Sequence, residues 1–137
     1  MDPGPSESAW AVYDSKEDDI VEWGTSINLE VKYDMVGIER IRSYGQVVSN
    51  AVLETAEQVG FLERVFIELK TRVHLIPRRT IVNHLTGTAV GGDKKVNAAV
   101  NLICPNFAAK RKGLNGHHRA AAAVAITCYD LYGKGVE

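Results

Sequence analysis

The sequence has 137 residues, of which 45% are hydrophobic and 24% charged, and a formal net charge of −1. These values predict one soluble globular domain, residues 1–137, and two cysteines are too few for a disulfide framework. No apolar run approaches the ~20 residues that a membrane span needs and no signal segment opens the chain, so we expect a cytoplasmic protein whose Cys104 and Cys128 are reduced core residues.

Charge is divided unevenly along the chain. Residues 1–69 contain 14 acidic and 5 basic side chains, whereas residues 70–120 contain 10 Lys or Arg and one acid, Asp93. Such a division indicates that a polyanion, nucleic acid in particular, faces the later half. A solvated mixed surface without such a partner is the alternative.

The first predicted elements are β-strands. The segments 8–14 (SAWAVYD) and 19–27 (DIVEWGTSI) are β-prone and flank a polar turn, so they predict a hairpin. The apolar run within 33–41 predicts a buried strand that ends near Glu39. A long helix is then predicted from Ser49, which can cap it, to about Arg72, because apolar residues recur at three- and four-residue spacing.

The rest of the chain alternates between strand and helix. The sequence predicts a strand at 73–77, helices at 78–87 and 91–104, a basic linker at 105–116, and a final helix from about His117 to Tyr132. Gly87 is the expected stop of the second helix, and Asp93 is the expected cap of the third. Early antiparallel strands followed by this alternation predict an α/β domain with a mixed central sheet.

Three distant segments carry side chains suited to metal chemistry. Asp2 precedes a Pro-Gly turn, Glu39 closes an apolar strand, and His117 and His118 precede four alanines. Small alanine side chains let the last helix approach the sheet closely, which would place the histidines at the sheet edge. These groups predict a divalent-metal site if they converge. The simpler interpretations are an ordinary turn, a surface acid and unremarkable histidines.

The chain resembles RuvC-type Holliday-junction resolvases, especially their bacteriophage branch, in four motifs that occur in the same order: DPGPSESAWAVYD with VEWGTSI, VGIERIRSYG, HLIPRRTIVNHLTGTAVGGDKKVNAAV and GHHRAAAAVAIT. The resemblance covers almost the whole chain. It implies a ribonuclease H-like fold with a mixed five-stranded central sheet flanked by helices. It also implies a homodimer that cuts two symmetric strands of a four-way DNA junction with Mg²⁺ or Mn²⁺, two ions per active site. The host compartment would be a bacterial or phage-infected cell.

The resemblance implies that Asp2 and Glu39 are catalytic metal ligands and that a histidine of the last helix is a third. In one register this is His117, with Ala120 at the family's final aspartate; a shift by one residue selects His118. Loss of that carboxylate removes a metal ligand, which predicts weakened or absent catalysis, whether natural or engineered, unless His118 or another acid compensates. A non-catalytic junction-binding protein is the second interpretation, and a basic module that binds RNA or nothing specific is the third.

Two further expectations follow from the resemblance. The family has several apolar residues before its first aspartate, whereas only Met1 precedes Asp2 here, so the first strand is expected to be shortened or its start missing. An imidazole in the ligand set should suit Mn²⁺ at least as well as Mg²⁺.

DNA contacts are expected from basic side chains that neutralise phosphates and from a tyrosine that stacks on an unpaired base. The candidates are Arg40, Arg42, Tyr44, Arg78, Arg79, Lys94, Lys95, Lys110, Arg111, Lys112 and Arg119. The long helix is the expected dimer element, because two symmetric cuts require a two-fold arrangement. Four of its residues are candidates for either a core or a partner face: Ala51, Thr55, Phe61 and Phe66.

Overall fold

The structure, a computed structural model, describes residues 1–26, 29–41, 45, 47–88, 92–110 and 115–134. Its strands are β1 (Trp10–Asp14), β2 (Asp19–Gly24), β3 (Met35–Arg40) and β4 (Arg72–Pro77). Its helices are α1 (Asn50–Glu68), α2 (Arg78–Thr86), α3 (Asp93–Ile103), α4 (Pro105–Ala109) and α5 (Gly116–Cys128), and a π-helical turn (Tyr129–Gly133) extends α5. None of the helices in these ranges is long and apolar enough to cross a membrane.

The strands form two separate pairs. β1 and β2 make the predicted antiparallel hairpin, and β3 and β4 pair in parallel with α1 as the connection between them. The α/β class is therefore confirmed, but the predicted five-stranded sheet is wrong for the described residues, which contain two two-stranded sheets.

The N-terminal residues contact both strand pairs. Asp2 exchanges two backbone hydrogen bonds with Ala9, of 2.9 and 3.0 Å. On the other side, the Met1 amino group donates to the carbonyl of Gly37 at 2.6 Å, and the Glu39 N–H donates to the carbonyl of Met1 at 3.1 Å. Met1 and Asp2 thus connect the hairpin to β3 at one end of the two strand pairs.

Helix α1 packs one face against β3. Ser49 caps it as predicted, accepting a hydrogen bond from the Val52 N–H, and the helix ends at Glu68, four residues before the predicted end. Lys70, just after the helix, has a φ of 58°, which lies outside the right-handed helical region. The buried residues of α1 are Thr55, Val59, Leu62 and Phe66, whereas Ala51 and Phe61 are exposed.

The second and third helices differ in how well their ends were predicted. Helix α2 ends at Gly87 with a φ of 75°, as predicted. The expectation that Asp93 caps α3 is wrong, because Gly92 occupies the cap position and Asp93 is the first helical residue. The predicted linker at 105–116 is also partly wrong, since Pro105 begins the short helix α4, a position that proline favours.

Helix α5 is the centre of the core. Ala121–Val124 and Ile126–Cys128 are all buried, and the small alanines allow close contact with the strands. The approach is tight at Gly37, where a Cβ atom would lie 2.8 Å from the Cβ of Cys128. Both cysteines are free and buried, as predicted.

Candidate active site

A cleft of about 450 Å³ lies where the ends of several elements meet. Its lining residues come from the N-terminus, β3, and the first turns of α2, α3 and α5: Asp2, Glu39, Arg78, Asp93, Asn97, Gly116, His117 and Ala120. The structure therefore brings Asp2, Glu39, His117 and Ala120 together as the sequence predicts, and it adds Arg78, Asp93 and Asn97.

Backbone pairing places two partly buried acids side by side. The carbonyl of Met1 accepts from the Glu39 N–H, so Asp2 lies beside Glu39. The side chains of Asp2 and Glu39 are only 15% and 16% exposed. Burial and, after it, the adjacent Asp2 carboxylate, which is close enough to hydrogen-bond Glu39, raise the pKa of Glu39 to about 7. Two neighbouring carboxylates of this kind are stabilised by a cation.

Arg78 is a cation beside this pair. It begins α2 directly after Pro77, its Nε lies 3.8 Å from Oε1 of Glu39, and its guanidinium donates to the carboxylate of Asp93. The positive charge counteracts the rise in the Glu39 pKa. Arg78 was expected to contact DNA phosphate, but here it bridges two acids of the cleft.

Asp93 was missed as a site residue. The sequence analysis assigned it a capping role, yet its carboxylate makes no cap hydrogen bond and instead pairs with Arg78 across the cleft. The one available signal was compositional, because Asp93 is the only acid in the otherwise basic stretch 70–120.

The two histidines have different environments. His117 is exposed, and its Nδ1 lies 3.1 Å from Oδ2 of Asp2 at the cleft. His118 is buried and forms a capping box with Asn115: its Nδ1 accepts from the Asn115 N–H at 3.2 Å, and its own N–H donates to the Asn115 side chain. Burial, and secondarily His117, lowers the pKa of His118. His118 is not among the residues lining the cleft.

The same helix distinguishes the two registers of the resemblance. Ala120 lines the cleft with His117, whereas Ala121 is fully buried in the core. The structure therefore favours the register that pairs His117 with Ala120.

No three His, Cys, Asp or Glu side chains in the described part of the chain lie close enough together to form a ready-made metal site. The donor chemistry nevertheless fits a divalent cation. Asp2 and Glu39 supply the hard carboxylate oxygens that Mg²⁺ and Mn²⁺ prefer, and the raised pKa of Glu39 and the nearby Arg78 guanidinium both reflect the unfavourable proximity of two negative charges that a cation would relieve.

The candidate DNA-contacting residues are only partly described. Arg40 is exposed at the end of β3, and Lys94 and Lys95 are exposed in the first turn of α3. The ammonium of Lys110 lies 5.4 Å from the centre of the Trp23 ring. Arg79 is exposed on α2 and Arg119 is partly buried on α5, while four candidates lie outside the described residues: Arg42, Tyr44, Arg111 and Lys112.

The chain has a RuvC-like fold. It is similar to Thermus thermophilus RuvC in complex with a Holliday-junction substrate, with a TM-score of 0.70 and 14% identity over 97% of this chain and 92% of that one. It is also similar to a second Thermus thermophilus RuvC structure, with a TM-score of 0.68 and 16% identity over 96% and 93% of the two chains. No protein-family model and no curated protein sequence matches it.

Proposed function

We propose that this protein is a structure-selective DNA endonuclease that resolves four-way junctions by divalent-metal-dependent hydrolysis of two symmetric phosphodiesters. The observation that carries the proposal is the cleft in which Asp2, Glu39 and His117 meet, at the N-terminus, β3 and α5 of a RuvC-like fold. The sequence motifs resemble those of the bacteriophage branch of these resolvases, which is the branch we propose for it. Incubation with labelled four-way junction, with and without Mn²⁺, tests the proposal: paired symmetric nicks support it, and an absence of nicks contradicts it.

Asp2 and Glu39 would hold the metal, with His117 at the exposed side of the cleft. Two divalent ions in such a site supply an activated water and a stabilised leaving oxygen. Asp2 orients the imidazole of His117 through Nδ1, which leaves Nε2 to face a bound substrate or ion. Glu39 has to lose its proton before it can bind a cation, because only the ionised carboxylate is a good ligand.

Asp93 supplies the carboxylate that Ala120 lacks. Both residues line the same cleft, and Asp93 approaches it from the first turn of α3, held by Arg78. Release of that ion pair would free a third carboxylate for the metal. The second candidate function is junction binding without cleavage, and the observation that favours it is the methyl group of Ala120 at the cleft.

Substitutions at positions 93 and 120 test whether Asp93 replaces the carboxylate that is missing at Ala120. Asp93→Asn is expected to lower junction cleavage roughly 10- to 100-fold, since metal-site carboxylates and their partners contribute on that scale. Ala120→Asp in the same chain should restore much of the loss, and Glu17→Gln, in the exposed turn between β1 and β2, is the matched control. If Asp93→Asn cleaves normally while Ala120→Asp alone raises cleavage by orders of magnitude, the parent chain is the impaired, junction-binding form.

Ion preference tests the role of His117. Mn²⁺ is expected to support cleavage better than Mg²⁺, because imidazole is a softer donor than carboxylate. His117→Ala should remove that preference, measured as the ratio of cleavage rates at saturating concentrations of each ion. Equal rates with both ions in the parent protein would count against direct coordination by His117.

The DNA interface would combine exposed basic residues near the cleft. Arg40 follows Glu39 along β3, and Lys94 and Lys95 follow Asp93 in α3, so their side chains emerge from the elements that carry the acids. Phosphate contacts of this type make affinity fall steeply with salt and carry no sequence information.

A homodimer would present two such clefts to the junction. On α1, the residues Leu53, Phe61 and Ile67 are 53%, 61% and 55% exposed. They lie on the side of the helix that faces away from its buried residues. Large apolar side chains exposed along one helix are typical of an interface, and two symmetric cuts require a two-fold axis.

A further inference from the structure

Arg78 holds a position in the cleft for which a divalent cation would compete. Its Nε lies 3.8 Å from Oε1 of Glu39, and its guanidinium donates to the carboxylate of Asp93. All three residues line the cleft of about 450 Å³ that also contains Asp2. One positive charge therefore contacts two of the carboxylates proposed to bind a metal, and Coulomb repulsion disfavours a divalent ion beside it.

Both contacts of Arg78 are of a kind that is easily broken. The distance of 3.8 Å to Glu39 is too long for a hydrogen bond, so that contact is purely electrostatic. The side chain of Asp93 is 86% exposed, and an ion pair with so exposed a partner contributes little to stability because water screens it. An anion with better access to the guanidinium can therefore displace both carboxylates.

A DNA phosphate is an anion suited to displace them. A guanidinium can bind a phosphate group through two parallel N–H donors, and it is more weakly hydrated than an ammonium group. Lys94 and Lys95, both exposed, directly follow Asp93 in the first turn of α3. A phosphate backbone held by these two lysines would pass beside the contact between Arg78 and Asp93.

We propose that Arg78 couples the binding of DNA to the binding of a divalent cation at the cleft. In the DNA-free protein its guanidinium is a built-in counter-ion that lowers the affinity of the cleft for the cation. A DNA phosphate takes the guanidinium, Glu39 and Asp93 are released, and the cation then binds more tightly. The inference rests on the proposed function, since it assumes that the cleft binds both DNA and a divalent ion.

Such coupling is reciprocal. If DNA raises the affinity for the cation by some factor, the cation raises the affinity for DNA by the same factor. The DNA-free protein would then carry little metal at an ion concentration that fills the site of the complex. Hydrolysis would be confined to DNA that is already bound at the cleft.

The test measures Mn²⁺ binding rather than DNA cleavage. Free Mn²⁺ is quantified by electron paramagnetic resonance at pH 8, with the full chain alone and with a linear DNA duplex, and titrations of the duplex alone are subtracted. The variants are Arg78→Gln, which removes the charge, Arg78→Lys, which keeps it, and Asp93→Asn with and without Arg78→Gln. Lys16→Gln, which removes one positive charge from the exposed turn between β1 and β2, is the matched control.

Without DNA, Arg78→Gln is expected to bind Mn²⁺ about fivefold or more tightly than the parent, because the competing charge is gone. Arg78→Lys and Lys16→Gln should match the parent. The duplex should raise the Mn²⁺ affinity of the parent by a similar factor and that of Arg78→Gln by much less. Asp93→Asn should weaken Mn²⁺ binding more in the Arg78→Gln background than in the parent, because Arg78 no longer holds the carboxylate.

Equal Mn²⁺ affinity of the parent and Arg78→Gln without DNA would overturn the proposal, and so would an equal effect of the duplex on both proteins. Neither result depends on whether junctions are nicked. A parent protein that shows this coupling but makes no nicks in a four-way junction would contradict the proposed endonuclease and leave the role of Arg78 standing.

Discussion

Glu39→Gln is expected to lower metal-dependent cleavage of a four-way junction by about 1,000-fold or more while junction binding in the absence of metal is retained. The amide keeps the shape of the side chain but loses the charge that a divalent ion requires. Glu39 is 16% exposed and lies beside Asp2, so its carboxylate is one of the two that the proposed metal site depends on most directly. Asp2→Asn should have a loss of similar size for the same reason.

Binding and cleavage are measured separately in this experiment. Labelled junction is followed by gel shift in EDTA at several salt concentrations, and by nicking in Mn²⁺. Glu17→Gln, an exposed carboxylate in the turn between β1 and β2, should match the parent in both assays. If the Glu39→Gln protein nicks the junction at the parent rate, the cleft takes no part in the reaction and the proposed endonuclease site is wrong.

The local elements could be predicted because each depends on neighbours in sequence. The spacing of Val59, Leu62 and Phe66 fixes the buried face of α1, Ser49 caps it, and Gly87 ends α2 in a left-handed conformation. The sheet could not be predicted in the same way. Its division depends on how far Met1 and Asp2 pair with strands distant in sequence, which is a tertiary property.

The site was predicted in part. The resemblance implied Asp2, Glu39 and His117, and the structure places all three in one cleft. Arg78 and Asp93 were given other roles, because their contact joins residues 15 positions apart across two helix starts and no local pattern indicates it.

The two adjacent histidines also show which features of the site depend on the three-dimensional structure. His117 and His118 are adjacent in sequence, yet a helix turns successive side chains by about 100°, so one faces the cleft and the other the core. The capping box with Asn115 is what fixes this rotation. Asn115 lies two positions before His117, so the signal was present in the sequence but was not used.

The raised pKa of Glu39 predicts a stability difference that depends on pH. Its pKa is about 7 in the folded protein and near the ordinary 4.5 when unfolded, because of burial first and Asp2 second. The folded state therefore holds this proton more tightly. The stabilisation is complete below pH 4.5 and is lost as the pH rises through 7, a loss of about 2–3 kcal/mol in the free energy of unfolding.

Glu39→Gln should remove this loss. The free energy of unfolding of the variant, relative to that of the parent, is therefore expected to rise by about 2–3 kcal/mol from pH 4.5 to pH 8. Urea unfolding of both proteins in EDTA across this range measures the difference, in which contributions from titrating groups that do not interact with Glu39 cancel. Mn²⁺ at pH 8 should restore stability to the parent and not to the variant, because only the ionised carboxylate binds the cation. Parallel stability curves for the two proteins would show that Glu39 titrates as an ordinary surface acid.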